Sequence, residues 1–249
     1  MNEQEIMNAV RDAYRRILGE KLTGIYVHGS IAFGCFRWER SDIDFLVVTE
    51  EPLTQQEKEA LIRTLLEMDD CAPPKGFEMS VVPRSACMPF RDPVPFELHY
   101  SNAYRENYRR DLQGTCQTMR GTDPDLPAHM MVAGRVGIAL CGLPVEQVFA
   151  PVPKTSYLAS IRQDAEDARA GIGKDPVYYV LNLCRVLACV RENLVLSKEQ
   201  GGEWGMDHLP EERAWIEPAL KAYCGSISAP FPTGLEGFAE RMLERIRQE

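Results

Sequence analysis

Residues 28–48 read HGSIAFGCFRWERSDIDFLVV, and the fold turns on the two aspartates near the end of that stretch. Ile43 to Val48 form an apolar run that is too short and too β-branched for a helix, so a buried strand is expected there. Side chains at i and i+2 of a strand share a face. Asp42 and Asp44 therefore project together while Ile43 turns toward the core. Two carboxylates so close repel, and burial disfavours their charge, unless cations lie between them. Magnesium suits such a pair, because Mg²⁺ takes one or two protein carboxylates and completes its shell with phosphate oxygens and water. A calcium loop does not fit, since apolar Phe45 to Val48 stand where further polar ligands and a glycine would be needed.

Outward from that strand, a gap of eleven residues separates Gly29-Ser30 from Asp42. A glycine there lets the backbone approach a phosphate, and successive N–H groups in such a turn can cradle anionic oxygens. Ser30 and Ser41 add hydroxyls. Ile6, Val10, Ala13, Tyr14, Ile17 and Leu18 recur at helical spacing before it, and GIYVH (24–28) reads as a short strand. Thr54 and Glu57 form a capping box that opens a helix with Leu61, Ile62, Leu65 and Leu66 on one face. FEMSVV (77–82) is a third strand and FELHYS (96–101) a fourth. Within 77–82, Glu78 shares a face with Ser80, and it is the candidate general base for a hydroxyl nucleophile. Taken singly, a Gly-Ser pair is a turn, a DxD a strand end and Glu78 a surface acid. Their order along the chain is what carries the chemistry.

Beyond about residue 123 strand signals fade and helical patterns take over. FAPVPKT (149–155) reads as a linker, which divides the chain into an α/β part, 1–153, and an all-α part, 154–249, of three or four helices. Val177, Val180, Leu181, Cys184, Leu187 and Ala188 mark the clearest of these. The formal net charge of −9 argues against non-specific nucleic-acid binding and suits a cationic substrate. Eight cysteines without a CxxC or a Cys/His cluster give no structural zinc site, and they read as reduced apolar residues. No apolar run reaches a membrane-spanning length and the N-terminus lacks a signal-peptide core, so a cytoplasmic protein is expected. His28, His99, His129 and His208 have no metal-ligand spacing and read as structural.

With these residues in view, the chain resembles the polymerase-β-like nucleotidyltransferase superfamily, whose signature is Gly-Ser, DxD and a later third carboxylate. More closely, it resembles the aminoglycoside adenylyltransferases that modify spectinomycin and streptomycin. Residues 27–48, FEMSVV, FELHYS, DPVYYVLNLCRVLA (175–188) and LSKEQGGEWGMDHLP (196–210) carry the likeness, which covers nearly the whole chain. The resemblance implies an α+β fold, with an N-terminal mixed-sheet nucleotidyltransferase domain followed by a helical-bundle domain. It also implies ATP as donor, Mg²⁺ as cofactor and AMP transfer to a hydroxyl. Asp42 and Asp44 would hold metal and Glu78 would act as base. Arg185 and Lys198 would reach the triphosphate, Tyr223 would neighbour the nucleotide, and Asp175 would face a cationic acceptor. Each has a plainer reading: Arg185 a helix-surface cation, Lys198 a loop lysine, Asp175 an N-cap before Pro176. Members acting on both drugs carry a tryptophan where Ala103 stands and an acidic residue near Gly171, so spectinomycin is the expected preference. A small cationic acceptor and a monomer are expected. The other readings are transfer to a protein, RNA or metabolite hydroxyl, and a non-catalytic nucleotide-binding or antitoxin-type module. Intact Asp42, Asp44 and Glu78 argue against the last.

Overall fold

The apolar spacing from Ile6 to Leu18 builds the first helix, α1 (Glu3–Leu18), which starts at an Asn2–Glu5 capping box and stops at Gly19. This computed structural model describes residues 1–225 and 230–249, which divide into two units, Met1–Pro153 and Lys154–Glu249.

In the first unit β1 (Leu22–Val27) runs into a single helical turn, α2 (Gly29–Ala32), and then β2 (Ile43–Thr49). Helix α3 (Gln55–Met68) begins at the Thr54–Glu57 capping box and returns the chain to β3 (Phe77–Pro83). Such a strand–helix–strand crossover leaves its two strands parallel, and β2 and β3 pair in that way. Ile43, Phe45 and Val47 on β2, with Phe77, Met79 and Val81 on β3, join one buried cluster with Val10 and Tyr14 of α1 and Leu61, Ile62 and Leu65 of α3. Alternation sends Asp44 and Glu78 to the opposite face.

Past β3 come α4 (Arg84–Cys87), β4 (Pro95–Phe96), β5 (Leu98–Tyr100), α5 (Arg105–Arg110), α6 (Leu112–Thr118), β6 (Gly121–Thr122), α7 (Leu126–Val136) and β7 (Ile138–Gly142). The main sheet has the order β5-β3-β2-β1-β7, and β4 and β6 form a separate pair. Two expectations need correction here. FELHYS is not one strand: Glu97 interrupts it, accepting a hydrogen bond from Leu53 N at 2.9 Å, so Pro95-Phe96 pairs with β6 and Leu98–Tyr100 with β3. Strand structure also does not end near residue 123, since β7 completes the sheet beside β1. It is an edge strand whose Ile138 is exposed, so it shows no in–out alternation to read.

The second unit contains six described helices rather than three or four: α8 (Lys154–Glu166), α9 (Ala168–Gly171), α10 (Pro176–Glu192), α11 (Lys198–His208), α12 (Arg213–Tyr223) and α13 (Leu235–Gln248). Helix α10 is its centre. It is buried on most sides, from Val180 to Val190, and contacts α8, α11, α12 and α13. Helix α11 lies close on it because its glycines leave room: a Cβ at Gly201 would stand 2.6 Å from Arg185 Cβ. Glu212, which is buried, accepts two hydrogen bonds from Arg241, at 2.8 and 2.7 Å, and so joins the start of α12 to α13. Among the described residues, no helix is long and apolar enough to cross a membrane.

Candidate active site

Strand register assembles the acidic site. Asp44 on β2 pairs with Glu78 on β3, and Asp42 projects from the residue before β2. One oxygen from each of the three carboxylates lies within 4.8 Å of the others, and all three residues are half-buried. An all-oxygen set of hard, anionic donors at this spacing suits a divalent cation such as Mg²⁺. Without a cation the three charges would oppose one another.

The Gly-Ser turn abuts the same end of the sheet. His28 N donates to Asp44 O at 3.0 Å, which sets Gly29 beside the aspartate. Gly29 has φ +57°, and a Cβ there would overlap Asp44 Oδ2. Glycine is needed twice over, for the left-handed backbone and for the space. Ser30 Oγ is buried and makes no hydrogen bond within the described chain, an arrangement that suits a ligand oxygen. Ser41 is differently placed: its Oγ accepts from Arg37 N at 3.1 Å, closing the loop that leads into the DxD.

Three histidines surround the acidic cluster, and their positions were not apparent from spacing. His129 Nε2, from α7, stands 3.7 Å from Glu78 Oε1. Its ring packs on that of His28, with centroids 4.9 Å apart. Burial, reinforced by His129, holds the His28 pKa well below its ordinary value, so His28 is neutral. His99 Nδ1 lies 2.9 Å from Ser80 Oγ. Burial lowers its pKa too, against the raising effect of the Glu78 and Asp123 carboxylates. A cavity of about 310 Å³ is bounded by Asp42, Glu78, Lys75, Asn102 and Ala103.

In the second unit, Arg185 and Lys198 meet around one tyrosine. Arg185 Nε donates to Asn182 Oδ1 at 2.6 Å, and its Nη2 lies 3.8 Å from Asp164 Oδ2. Asp164 also accepts from Asn182 Nδ2 at 2.8 Å and from the Tyr178 hydroxyl at 2.9 Å. Lys198 Nζ sits 4.9 Å from the centroid of the Tyr178 ring, a cation–π contact. Burial first, then Asp164, pushes the Tyr178 phenol well up, so it stays a neutral donor. Tyr178, Asn182 and Arg185 stand at i, i+4 and i+7 of α10, a polar stripe on an apolar helix that could have been read from the sequence. Tyr223 is buried at the end of α12, and Cys224 next to it lies 3.3 Å from Glu199 Oε1, beside Lys198. Asp175 is the N-cap of α10, accepting from Tyr178 N at 3.0 Å. At Gly171 an added Cβ would overlap the Tyr179 ring, so an acidic side chain does not fit without moving it.

Residues 7–86 match the model of the nucleotidyltransferase domain, and residues 147–245 match that of the aminoglycoside adenylyltransferase C-terminal domain. A spectinomycin 9-adenylyltransferase of Staphylococcus aureus is 27% identical over 84% of this chain and 80% of its own length. An aminoglycoside (3'') (9) adenylyltransferase of Klebsiella pneumoniae is 26% identical over 88% of this chain and 84% of its own. The same fold occurs in a spectinomycin adenyltransferase from Enterococcus faecialis, solved with ATP and spectinomycin: TM-score 0.82, 23% identity, covering 99% of this chain and all of that one.

Proposed function

We propose, because this chain belongs to the aminoglycoside adenylyltransferase family of the polymerase-β-like nucleotidyltransferases, that it transfers AMP from ATP to a hydroxyl of spectinomycin. The observation that carries the reading is the Asp44–Glu78 register, which gathers three carboxylates beside the Gly29-Ser30 turn. Asp42 and Asp44 would hold Mg²⁺, which when bound offsets charge on the phosphate oxygens. Glu78 takes the acceptor's hydroxyl proton. The acceptor oxygen then bonds to the α-phosphorus, and the bond to the bridging oxygen breaks with loss of pyrophosphate. Gly29 and Ser30 line the phosphate path, with Ser41 bracing the loop behind them. Arg185, Lys198 and Tyr223 are the proposed nucleotide ligands of the second unit. Glu78 and Asp175 are the proposed carboxylates for the acceptor's ammonium groups. The protein would act as a cytoplasmic monomer.

Spectinomycin is favoured over streptomycin for a physical reason. A large, flexible dication needs an aromatic platform and extra carboxylate charge to offset its ordering and desolvation. Ala103, on the cavity wall, offers no ring, and Gly171 no charge. Lys75, on the same wall, opposes further positive charge. The test is pyrophosphate release with Mg-ATP and each drug, with mass spectrometry for the AMP adduct. Spectinomycin should win by at least about tenfold in kcat/KM, or about 1.4 kcal/mol. Glu78→Gln should bind Mg-ATP yet lose about 10²–10⁴-fold in kcat. Equal efficiency with both drugs defeats the pocket argument, and full turnover by Glu78→Gln removes the base.

A further inference from the structure

Glu78 has a partner that is not among the residues bounding the cavity. Helix α7 supplies that partner from a remote part of the chain. Leu126, Met130 and Ala133 bury one face of α7, while His129 remains partly exposed and rests against His28. His28 is a firm support: it is buried, and its backbone N–H is bonded to Asp44 O. From this support His129 directs Nε2 at Glu78 Oε1, 3.7 Å away, while Glu78 also bounds the cavity with Asp42, Lys75 and Ala103. His129 does not line that cavity.

We propose that His129 is a positioning residue for Glu78. It engages Oε1 and so leaves Oε2 turned to the cavity, where an acceptor hydroxyl would present its proton. The proposal rests on the reading of Glu78 as base. A glutamate free to rotate about its side-chain bonds spends part of its time turned away from the acceptor, and an imidazole at ion-pair distance from one oxygen disfavours those states. Partners of this kind, one layer behind the reacting groups, typically matter by about 10–100-fold.

The experiment compares His129→Leu, which keeps packing against His28 without a polar tip, with His129→Gln, which restores a donor, using Mg-ATP and spectinomycin. His129→Leu should lower kcat about tenfold and leave both KM values within about twofold, and His129→Gln should recover most of the loss. In a Glu78→Gln background the same change should cost less than about twofold, because the two residues act as one unit. If circular dichroism shows that His129→Leu is misfolded, His129→Ala takes its place in the comparison. Unchanged kcat in the folded variant, a shift in KM instead of kcat, or full additivity with Glu78→Gln overturns the proposal. Wild-type turnover by Glu78→Gln alone fails the base reading itself, and that result is distinct from any His129 outcome.

Discussion

Replacing Gly29 by alanine separates two demands that the Gly-Ser turn meets at once. The first is conformational: φ is +57°, and a left-handed backbone costs an L-residue about 1–2 kcal/mol. The second is steric: the new Cβ would stand 2.6 Å from Asp44 Cγ, whereas ordinary contact begins at 3.4 Å. The carboxylate must retreat by about 1 Å, a misplacement that can cost about 10²-fold in rate. Gly34 is the matched control, with φ +71° and nothing within 4 Å of an added Cβ. Urea melts should show Gly29→Ala and Gly34→Ala losing similar stability, about 1–2 kcal/mol each. Pyrophosphate release should then part them, with Gly34→Ala near the parent rate and Gly29→Ala down by about 100-fold or more. If both turn over alike, Asp44 does not need the space that Gly29 leaves, and the physical link between turn and DxD is refuted.

Asp42→Asn and Asp44→Asn should each abolish turnover while leaving the melting curve near that of the parent, since both carboxylates are half-buried and mutually repulsive. Retained activity at saturating Mg²⁺ would remove them from the site. Lys198→Ala should raise the KM for ATP by about tenfold, because it removes a charge-assisted contact of roughly 1.5–3 kcal/mol with the nucleotide. An unaltered KM would count against that role. Stability should fall with acid in a defined window. The His28 pKa is depressed in the folded protein, so below about pH 6.5 the unfolded chain binds a proton that the folded one refuses. That group then contributes a loss of up to about 1.4 kcal/mol per pH unit, and His28→Phe should flatten the urea-midpoint profile between about pH 7 and 5.5 by one proton's worth. A profile as steep as the parent's would show that His28 is not the titrating group.

Much of this molecule is written locally in its chain. The capping box at Thr54–Glu57, the helical spacing of α1 and α3, and the shared face of Asp42 and Asp44 depend only on neighbours a few residues away, and they stand in the structure as the sequence implies. Glu78 was legible as an acid out of place on a strand, but its position opposite Asp44 is a matter of register between strands separated by α3. Periodicity says which face a residue takes and nothing of which neighbour it meets. FELHYS looked like one strand because its composition is strand-like throughout, yet Glu97 is drawn off by Leu53, forty-four positions away. Edge strand β7 carries no alternating signal because none of its residues is buried. His28, His99 and His129 sit on three remote elements, so no spacing rule joins them. Local patterning determines helices, strands and faces because those arise from contacts along the chain. The grouping of histidines about Glu78, and of Asp164, Tyr178 and Asn182 about Arg185, was decided only when packing closed long loops and brought separate polar groups together in one partly buried place.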